Sequence, residues 1–146
     1  MVGAMSKPTS SQSAETEALR AAYAALNRND IPGFVQIFDE QIERIEFAGL
    51  PQGGTYHGLA AVTAHVAKGR GTWAEGSCEP GRFLVAGDRI IVFTHVRVRL
   101  KYETEWREGR TWDVFTFRNG KAIQFQTFAD ERQALEWAGV KASDAG

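Results

Sequence analysis

The segment that most constrains the fold of this chain is WDVFTFRNGK, which spans residues 112–121. Its aromatic and β-branched residues predict a strand, and Asn119-Gly120 predicts a tight hairpin turn into a second strand. Side chains alternate across a strand, so Asp113, Phe115 and Phe117 share one face. A carboxylate in line with two phenylalanines either faces solvent or lies in an apolar pocket, where burial would raise its pKa.

Composition excludes several classes of protein. The chain has 146 residues and a formal net charge of −1, which indicates one domain without a basic field for nucleic acid or a membrane surface. The one cysteine, Cys78, excludes an intrachain disulfide and a cysteine-based zinc site. No apolar run approaches the ~20 residues of a membrane span, and the first residues lack a signal-peptide pattern. We therefore expect a cytoplasmic protein.

Helical periodicity dominates the first half of the chain. The first predicted helix is amphipathic and has Ser13 as its N-cap, and a short second helix is capped by Asp30. Phe34, Ile37 and Phe38 are expected to form the buried side of the second helix. A strand over 42–48, a turn over 49–54 and a third helix ending near Gly69 follow.

The second half reads as strands. We expect them over 72–79, 82–87, 89–101, 106–118 and 121–129, followed by a short helix capped by Asp130. The predicted fold is therefore α+β, with three N-terminal helices packed on a curved antiparallel sheet. The domain is expected to span residues 15–138, between flexible tails at 1–14 and 139–146.

Three stretches carry a resemblance to a known superfamily. They are AALNRNDIPGF at 24–34, YHGLAAV at 56–62 and DVFTFRNGKAIQFQTFAD at 113–130. Together with the order of elements, they resemble the NTF2-like superfamily, in particular its SnoaL-like polyketide cyclases and ketosteroid isomerases. This resemblance implies a cone-shaped, cystatin-like fold with a small-molecule pocket, and it is more specific for fold than for function.

The resemblance also suggests catalytic residues. Glu46 falls at the general base of the isomerases, and Asp113 falls at their protonated oxyanion-hole aspartate. Ala22 occupies the place of the isomerase tyrosine, so that Tyr23 is one position away. The acid/base aspartate of the cyclases falls at Thr127, which cannot transfer a proton in that way. No known catalytic set is complete.

The candidate site therefore has catalytic and binding members. Asp113, Glu46 and Tyr23 are the candidate catalytic residues; Phe115, Phe117, Phe125, Thr127 and His57 are the candidate substrate-binding residues. Asp113 is either a pocket acid or a structural hydrogen-bond partner of the backbone, Arg97 or Tyr23. Alternation places Ile45 and Phe47 on the core face and Glu46 in solvent, whereas the resemblance places Glu46 in the pocket.

The remaining histidines leave one question open. Periodicity places His95 and Arg97 on the polar face of the sheet, whereas alignment with the isomerase strand turns both into the pocket. His65, on the third helix, is expected to point outward. The three histidines include no helical i, i+4 pair, so we expect no metal site. The sequence has no phosphate-binding Gly loop and no dinucleotide fingerprint, so we also expect no cofactor.

Two functions fit these observations. The first is a cofactor-independent isomerase or cyclase that transfers a proton on a carbonyl or polyketide-like substrate, with Glu46 as base and Asp113 and Tyr23 stabilising the enolate oxygen. The second is a non-catalytic ligand-binding or accessory module of the same fold. In both, the expected partner is an apolar small molecule, and the protein is expected to form a homodimer through its sheet.

Overall fold

The computed structural model of this protein describes residues 10–47 and 54–140. Within these ranges four helices and six strands form one α+β domain, as predicted. The helices are α1 Ser10–Asn27, α2 Ile31–Val35, α3 Leu59–Arg70 and α4 Glu131–Trp137. The strands are β1 Phe38–Glu46, β2 Gly54–His57, β3 Trp73–Ala86, β4 Arg89–Leu100, β5 Arg107–Arg118 and β6 Lys121–Phe128.

The strands form a single sheet in the order β2-β1-β6-β5-β4-β3. Neighbouring strands from β6 to β3 pair antiparallel, as does β2 with β1. The expectation of a wholly antiparallel sheet is wrong at one place, because β1 pairs parallel with β6. Sequence periodicity defines the faces of a strand and not its neighbours, so this non-local pairing has no local signal.

The helical half differs from the prediction in two details. α1 begins at Ser10, so Ser13 lies inside the helix and is not its N-cap. α2 ends at Val35, and Phe38 is the first residue of β1 and not part of the buried side of a helix. The Asp30 cap is confirmed, since its carboxylate accepts a hydrogen bond from the Gly33 N–H at 3.0 Å.

The strand half follows the prediction closely. The expected strands 72–79 and 82–87 are one strand, β3, with an irregular register between Pro80 and Phe83. The hairpin at Asn119-Gly120 is present, with φ values of 54° and 80° that suit a type I′ turn. Asp130 caps α4 by accepting from the Arg132 N–H, and β2 is a strand that the sequence analysis missed. The predicted turn over 49–54 lies mostly outside the described residues.

The sheet has two apolar faces. The inner face, formed by alternate residues of β3–β6, packs against α1, α2 and α3 and holds the larger core. The outer face is covered in part by α4, which packs against β5 and β6 and buries Leu135, Ile91 and Val114. The helices therefore close one side of the sheet, and side chains on the inner face point into the space between the sheet and the helices.

No helix of the described residues is both long enough and apolar enough to span a membrane.

Asn27 joins the end of α1 to the free edge of the sheet. Its Nδ2 donates to the Cys78 carbonyl at 2.9 Å, and its Oδ1 accepts from the Cys78 N–H at 2.8 Å. β3 is the last strand in the sheet order, so these backbone groups have no strand partner on that side. The Asn27 side chain therefore provides hydrogen-bond partners for the N–H and the carbonyl of Cys78 at the edge of the sheet.

Replacing Asn27 by Ala should lower the free energy of unfolding by about 1–3 kcal/mol, because two backbone groups lose their partner. Urea unfolding followed by circular dichroism measures this loss. Gln41→Ala, which removes an exposed amide from β1, is the control and should change stability little. Equal stability of the two variants would show that the bridge contributes nothing.

Candidate functional site

A cavity of about 380 Å³ opens between the inner face of the sheet and the helices. Apolar and aromatic side chains form most of its wall, and four side chains that carry charge or can titrate also face it. The lining residues are Leu26, Phe34, Arg44, Glu46, His65, Val66, Gly69, Arg70, Trp73 and Phe125. An apolar cleft with a few polar groups is the usual form of a small-molecule site.

Glu46 reaches this cavity because of the register of β1. Ile42, Arg44 and Glu46 share the inner face of the strand, so the expectation that Ile45 and Phe47 fill the core is wrong. The resemblance-based placement of Glu46 in the pocket agrees with the structure. The two carboxylate oxygens of Glu46 have different neighbours: Oε1 lies 2.8 Å from His65 Nε2, and Oε2 lies 3.6 Å from Arg44 Nη2.

Arg44 is a buried charge in the floor of the cavity, with 7% of its surface exposed. Its Nη1 donates to the carbonyls of Ile45 and Phe125 at 2.9 and 3.2 Å. Its guanidinium carbon lies 3.8 Å from the centre of the Phe125 ring, which is a cation–π contact. Burial lowers the pKa of Arg44, while Asp113 and Glu46 act to raise it.

His65 lies on the inward side of α3, which corrects the expectation that it points outward. Its ring stacks on that of Tyr56, with 3.8 Å between the ring centres and 16° between the planes. This stacking and the 2.8 Å contact between Nε2 and the Glu46 carboxylate hold the imidazole in place. Glu46 and His65 are therefore in direct contact on the cavity wall.

The predicted residues lie in two rows across three adjacent strands. Glu46 of β1 is the register partner of Thr127 in β6, which is in turn the partner of Asp113 in β5. With strands ~4.8 Å apart, the Cα atoms of Glu46 and Asp113 are about 10 Å apart on the same face. In the adjacent row, Phe125 stacks on Phe115 with 4.3 Å between ring centres.

Asp113 is held from two sides. The Tyr23 hydroxyl donates to its Oδ2, and the Thr127 hydroxyl donates to its Oδ1 at 2.7 Å. Asp113 and Tyr23 are 5% and 1% exposed, so this cluster is closed to solvent. Asp113, Tyr23 and Thr127 therefore form one hydrogen-bonded cluster. Tyr23 was one of the hydrogen-bond partners that we considered for Asp113 in a structural role.

Burial dominates the electrostatics of this cluster. It raises the pKa of Asp113, while the charge of Arg44 and the hydrogen bonds from Tyr23 and Thr127 act to lower it. Burial and the neighbouring Asp113 both raise the pKa of Tyr23 far above its usual range. The phenol therefore remains a hydrogen-bond donor at every physiological pH.

His95 and Arg97 lie on the outer face, which resolves the open question in favour of periodicity. His95 Nε2 lies 2.7 Å from Glu108 Oε2, and the Arg97 guanidinium carbon is 4.0 Å from the centre of the Trp106 ring. Arg97 is therefore not the counter-ion of Asp113, because the two residues face opposite sides of the sheet. Arg44 takes that place.

Of the five predicted binding residues, only Phe125 lines the cavity. Phe115 lies behind Phe125 and Thr127 lies in the Asp113 cluster, and the other two are farther away. Phe117 is 5% exposed and packs in the core beside Ala122, its partner in β6. His57 is exposed, at the end of β2, and borders a separate depression with Glu43, Gln124 and others. The structure does not bring His57 together with Glu46 or Asp113.

Sequence reasoning missed Arg44, His65, Arg70 and Trp73 as cavity residues. The sequence contained one usable signal. Ile42, Arg44 and Glu46 are two positions apart in a strand, so if Ile42 is buried, the other two lie on the same face. The inward turn of His65 had no comparable signal, since α3 is weakly amphipathic. Among the described residues, no group of three or more His, Cys, Asp and Glu side chains is placed to hold a metal ion.

Comparison with known proteins places this geometry in a family. A family model for the SnoaL-like domain matches residues 19–125, and the chain belongs to that family. No curated protein shows significant sequence similarity to the chain.

Solved structures show the same NTF2-like fold. An NTF2-like protein of unknown function from Burkholderia pseudomallei is 26% identical, with a TM-score of 0.71 over 84% of this chain and 95% of that chain. TerC, co-crystallised with polyporic acid, is 25% identical, with a TM-score of 0.69 over 86% and 98%. A protein described as a SnoaL-like polyketide cyclase from Jannaschia sp. CCS1 is 11% identical, with a TM-score of 0.73 over 91% and 96%.

The raised pKa of Asp113 predicts a pH-dependent stability. Between its ordinary value of 3.8 and the higher folded-state value, the folded protein keeps a proton that the unfolded chain releases. The contribution of Asp113 to the free energy of unfolding is therefore fully present at acid pH and is lost as pH rises through that window. Asp113→Asn lacks this contribution, so the stability difference between wild type and variant should shrink as pH rises.

Urea unfolding of wild type and Asp113→Asn from pH 3.5 to 8 tests this expectation. Asp88→Asn, which alters an exposed carboxylate in the β3–β4 turn, is the control and should show no comparable change with pH. A difference that grows with pH would mean that Arg44 outweighs burial and lowers the pKa of Asp113.

Proposed function

We propose that this SnoaL-like protein is a cofactor-independent isomerase or cyclase that transfers a proton on a carbonyl or polyketide-like small molecule. One observation carries the proposal: the Glu46 carboxylate lies on the wall of an aromatic cavity, with His65 2.8 Å from one oxygen and Arg44 3.6 Å from the other. A carboxylate that is oriented from both sides and faces a largely apolar space has the properties of a general base.

The proposed reaction needs only a base and a stabilised oxygen. Glu46 accepts a proton from the carbon beside the carbonyl group, and the electron pair of that C–H bond moves to give an enolate. Glu46 then returns the proton at another carbon of a conjugated enolate. Alternatively, the enolate carbon attacks a second carbonyl and closes a ring, and the alkoxide that forms takes the proton from Glu46. The negative charge that develops on the oxygen is stabilised by a nearby fixed positive charge.

Arg44 is the group proposed to stabilise that oxygen. The sequence-based hypothesis gave this role to Asp113 and Tyr23, but both oxygens of Asp113 already accept hydrogen bonds and its side chain is buried. Asp113 is better suited as a positioning residue that balances the charge of Arg44, and Tyr23 supports it by donating a hydrogen bond to its carboxylate.

The cavity wall favours a flat ligand. Phe34, Phe125 and Trp73 contribute aromatic surface to the wall, and the Phe115 ring stacks on Phe125. TerC, a protein of this fold that is 25% identical to the chain, was co-crystallised with polyporic acid. An apolar or aromatic small molecule is therefore the proposed partner.

A non-catalytic binding role is the second candidate, and the closed Asp113 cluster favours it. Asp113 is buried and does not line the cavity, and its two oxygens accept from Tyr23 and Thr127, so it has no contact with a ligand there. In this case the cavity would hold a ligand and Glu46 would only orient it. The two candidates differ in whether Glu46 changes a rate or only an affinity.

Replacing Glu46 by Gln should separate them. We expect wild type to accelerate deuterium incorporation at the α-carbon of 2-tetralone in D2O, measured by NMR, and E46Q to lose at least about 100-fold of that rate. Glu43→Gln is the matched control, because Glu43 lies on the same strand and contacts Gln124 outside the cavity. A rate that E46Q leaves unchanged would contradict the catalytic proposal.

Binding of a planar phenol such as 2-naphthol, measured by thermal shift and calorimetry, gives a second readout. A phenolate imitates the enolate, and Gln at position 46 imitates the neutral, protonated base. E46Q should therefore bind the phenol more tightly, by about tenfold, because the repulsion between two anions is removed. Binding without catalysis in wild type would favour the ligand-binding module.

We also propose that two copies of the chain associate through the outer face of the sheet. Beyond α4, this face carries His95 and the cations Arg97 and Arg99 together with the carboxylate of Glu108, so a two-fold axis can pair opposite charges. Trp106 lies on the same face and is 39% exposed. An exposed aromatic residue among mixed charges is typical of an interface.

Sedimentation velocity should accordingly find a dimer for wild type and a monomer for Trp106→Glu, because the new carboxylate would be buried beside Glu108 in the interface. Trp137→Glu, on α4 and similarly exposed at 38%, is the control and should leave the dimer intact. A wild-type monomer at all concentrations would contradict this arrangement.

A further inference from the structure

Arg70 is the cavity residue whose charge the protein leaves unbalanced. It is the last residue of α3 and lies on the cavity wall with Trp73. Among the described residues, no carboxylate lies within 4 Å of its guanidinium, whereas Arg44 has Glu46 and the field of Asp113. Burial lowers the pKa of Arg70, with no acidic neighbour to oppose it.

Hydrogen bonds fix the orientation of this guanidinium. Nε donates to the Leu26 carbonyl at 2.8 Å, and Nη2 donates to the Asn27 carbonyl at 3.0 Å. The guanidinium carbon also lies 4.6 Å from the centre of the Trp73 ring. Arg70 is thereby held between the end of α1 and an aromatic surface, which removes most of its rotational freedom before any ligand arrives.

The free donors of Arg70 match an anionic group. A guanidinium has five N–H groups, and the two bonds to α1 use the edge formed by Nε and Nη2. The end of the plane, formed by Nη1 and the outer N–H of Nη2, keeps two parallel donors with no protein partner among the described residues. Two parallel N–H groups match the two oxygens of a carboxylate.

We infer that the cavity binds an organic anion, and that Arg70, stacked on Trp73, anchors the carboxylate or acidic hydroxyl of an otherwise flat, apolar molecule. The inference rests on the proposed function, since it names the substrate class of the same cavity. The aromatic part of the ligand lies against Trp73 and the edge of Phe125, because Arg44 and Phe115 cover the two faces of the Phe125 ring. The anionic end of the ligand completes the charge balance of Arg70. Glu46 is left free to act at the other end of the molecule.

A pair of ligands that differ only in charge tests this inference. 2-Naphthoate and 2-naphthamide have the same rings, and calorimetry gives the dissociation constant of each with wild type, Arg70→Gln and Arg70→Lys. We expect wild type to bind naphthoate more tightly than naphthamide. R70Q should weaken naphthoate binding about tenfold or more and change naphthamide binding less than about twofold. The dissociation constant of R70K for naphthoate should lie between those of wild type and R70Q. Circular dichroism verifies that the variants are folded.

Arg20→Gln is the matched control, because it removes the same charge from the exposed side of α1, where Arg20 pairs with Glu17. It should leave both dissociation constants unchanged. Equal weakening of the two ligands by R70Q would mean that Arg70 only supports the end of α1, and it would overturn the inference. Binding of naphthamide without a preference for naphthoate would overturn the inference alone; failure of both ligands to bind wild type would contradict the proposed function as well.

Discussion

The buried guanidinium of Arg44 is the constraint on which the rest of the site depends. A charge in the interior is costly unless hydrogen bonds and opposite charges surround it. The protein supplies carbonyl acceptors from β1 and β6, the face of Phe125, and carboxylates on either side in Glu46 and Asp113. Each of these partners is fixed in turn, Glu46 by His65 and Asp113 by Tyr23 and Thr127. A single buried cation therefore orders two carboxylates, one in contact with the cavity and one behind it.

The two carboxylates differ in their access to the cavity. The carboxylate that faces the cavity retains access to a ligand, while the other is enclosed by two hydroxyl donors and serves the cation. Two carboxylates on one sheet face, about 10 Å apart, thus lie in different environments. Different environments are the usual means by which similar groups acquire different chemical roles.

The fold was largely predictable from the sequence, and the site only in part. The Asn119-Gly120 turn, the Asp30 and Asp130 caps and the alternation of β4 are local signals, and each gave the correct element. The parallel pairing of β1 with β6 is not local, so neither the position of Arg44 beside Phe125 nor that of Glu46 beside Thr127 followed from periodicity.

The placement of Glu46 shows how local patterns can mislead. Ile45 is apolar and was expected inside, but it is only partly buried, and the two polar side chains on either side of it point inward. A binary apolar pattern assigns polar residues to solvent, and it fails where an interior is built to hold charge. His65 and Arg70 were missed for the same reason, because charged residues on a helix normally mark its solvated face.

The site is assembled from residues that are far apart in the chain. Tyr23 and Asp113 are separated by 90 positions, and Arg44 and Phe125 by 81. Contacts of such high sequence separation form slowly, because the entropy of closing a long loop opposes them. During synthesis, β1 leaves the ribosome long before β6. Until β6 has been synthesised, Arg44 lacks its contacts with Phe125. The cavity is therefore complete only once β6 has paired with β1, which requires nearly the whole chain to have been synthesised.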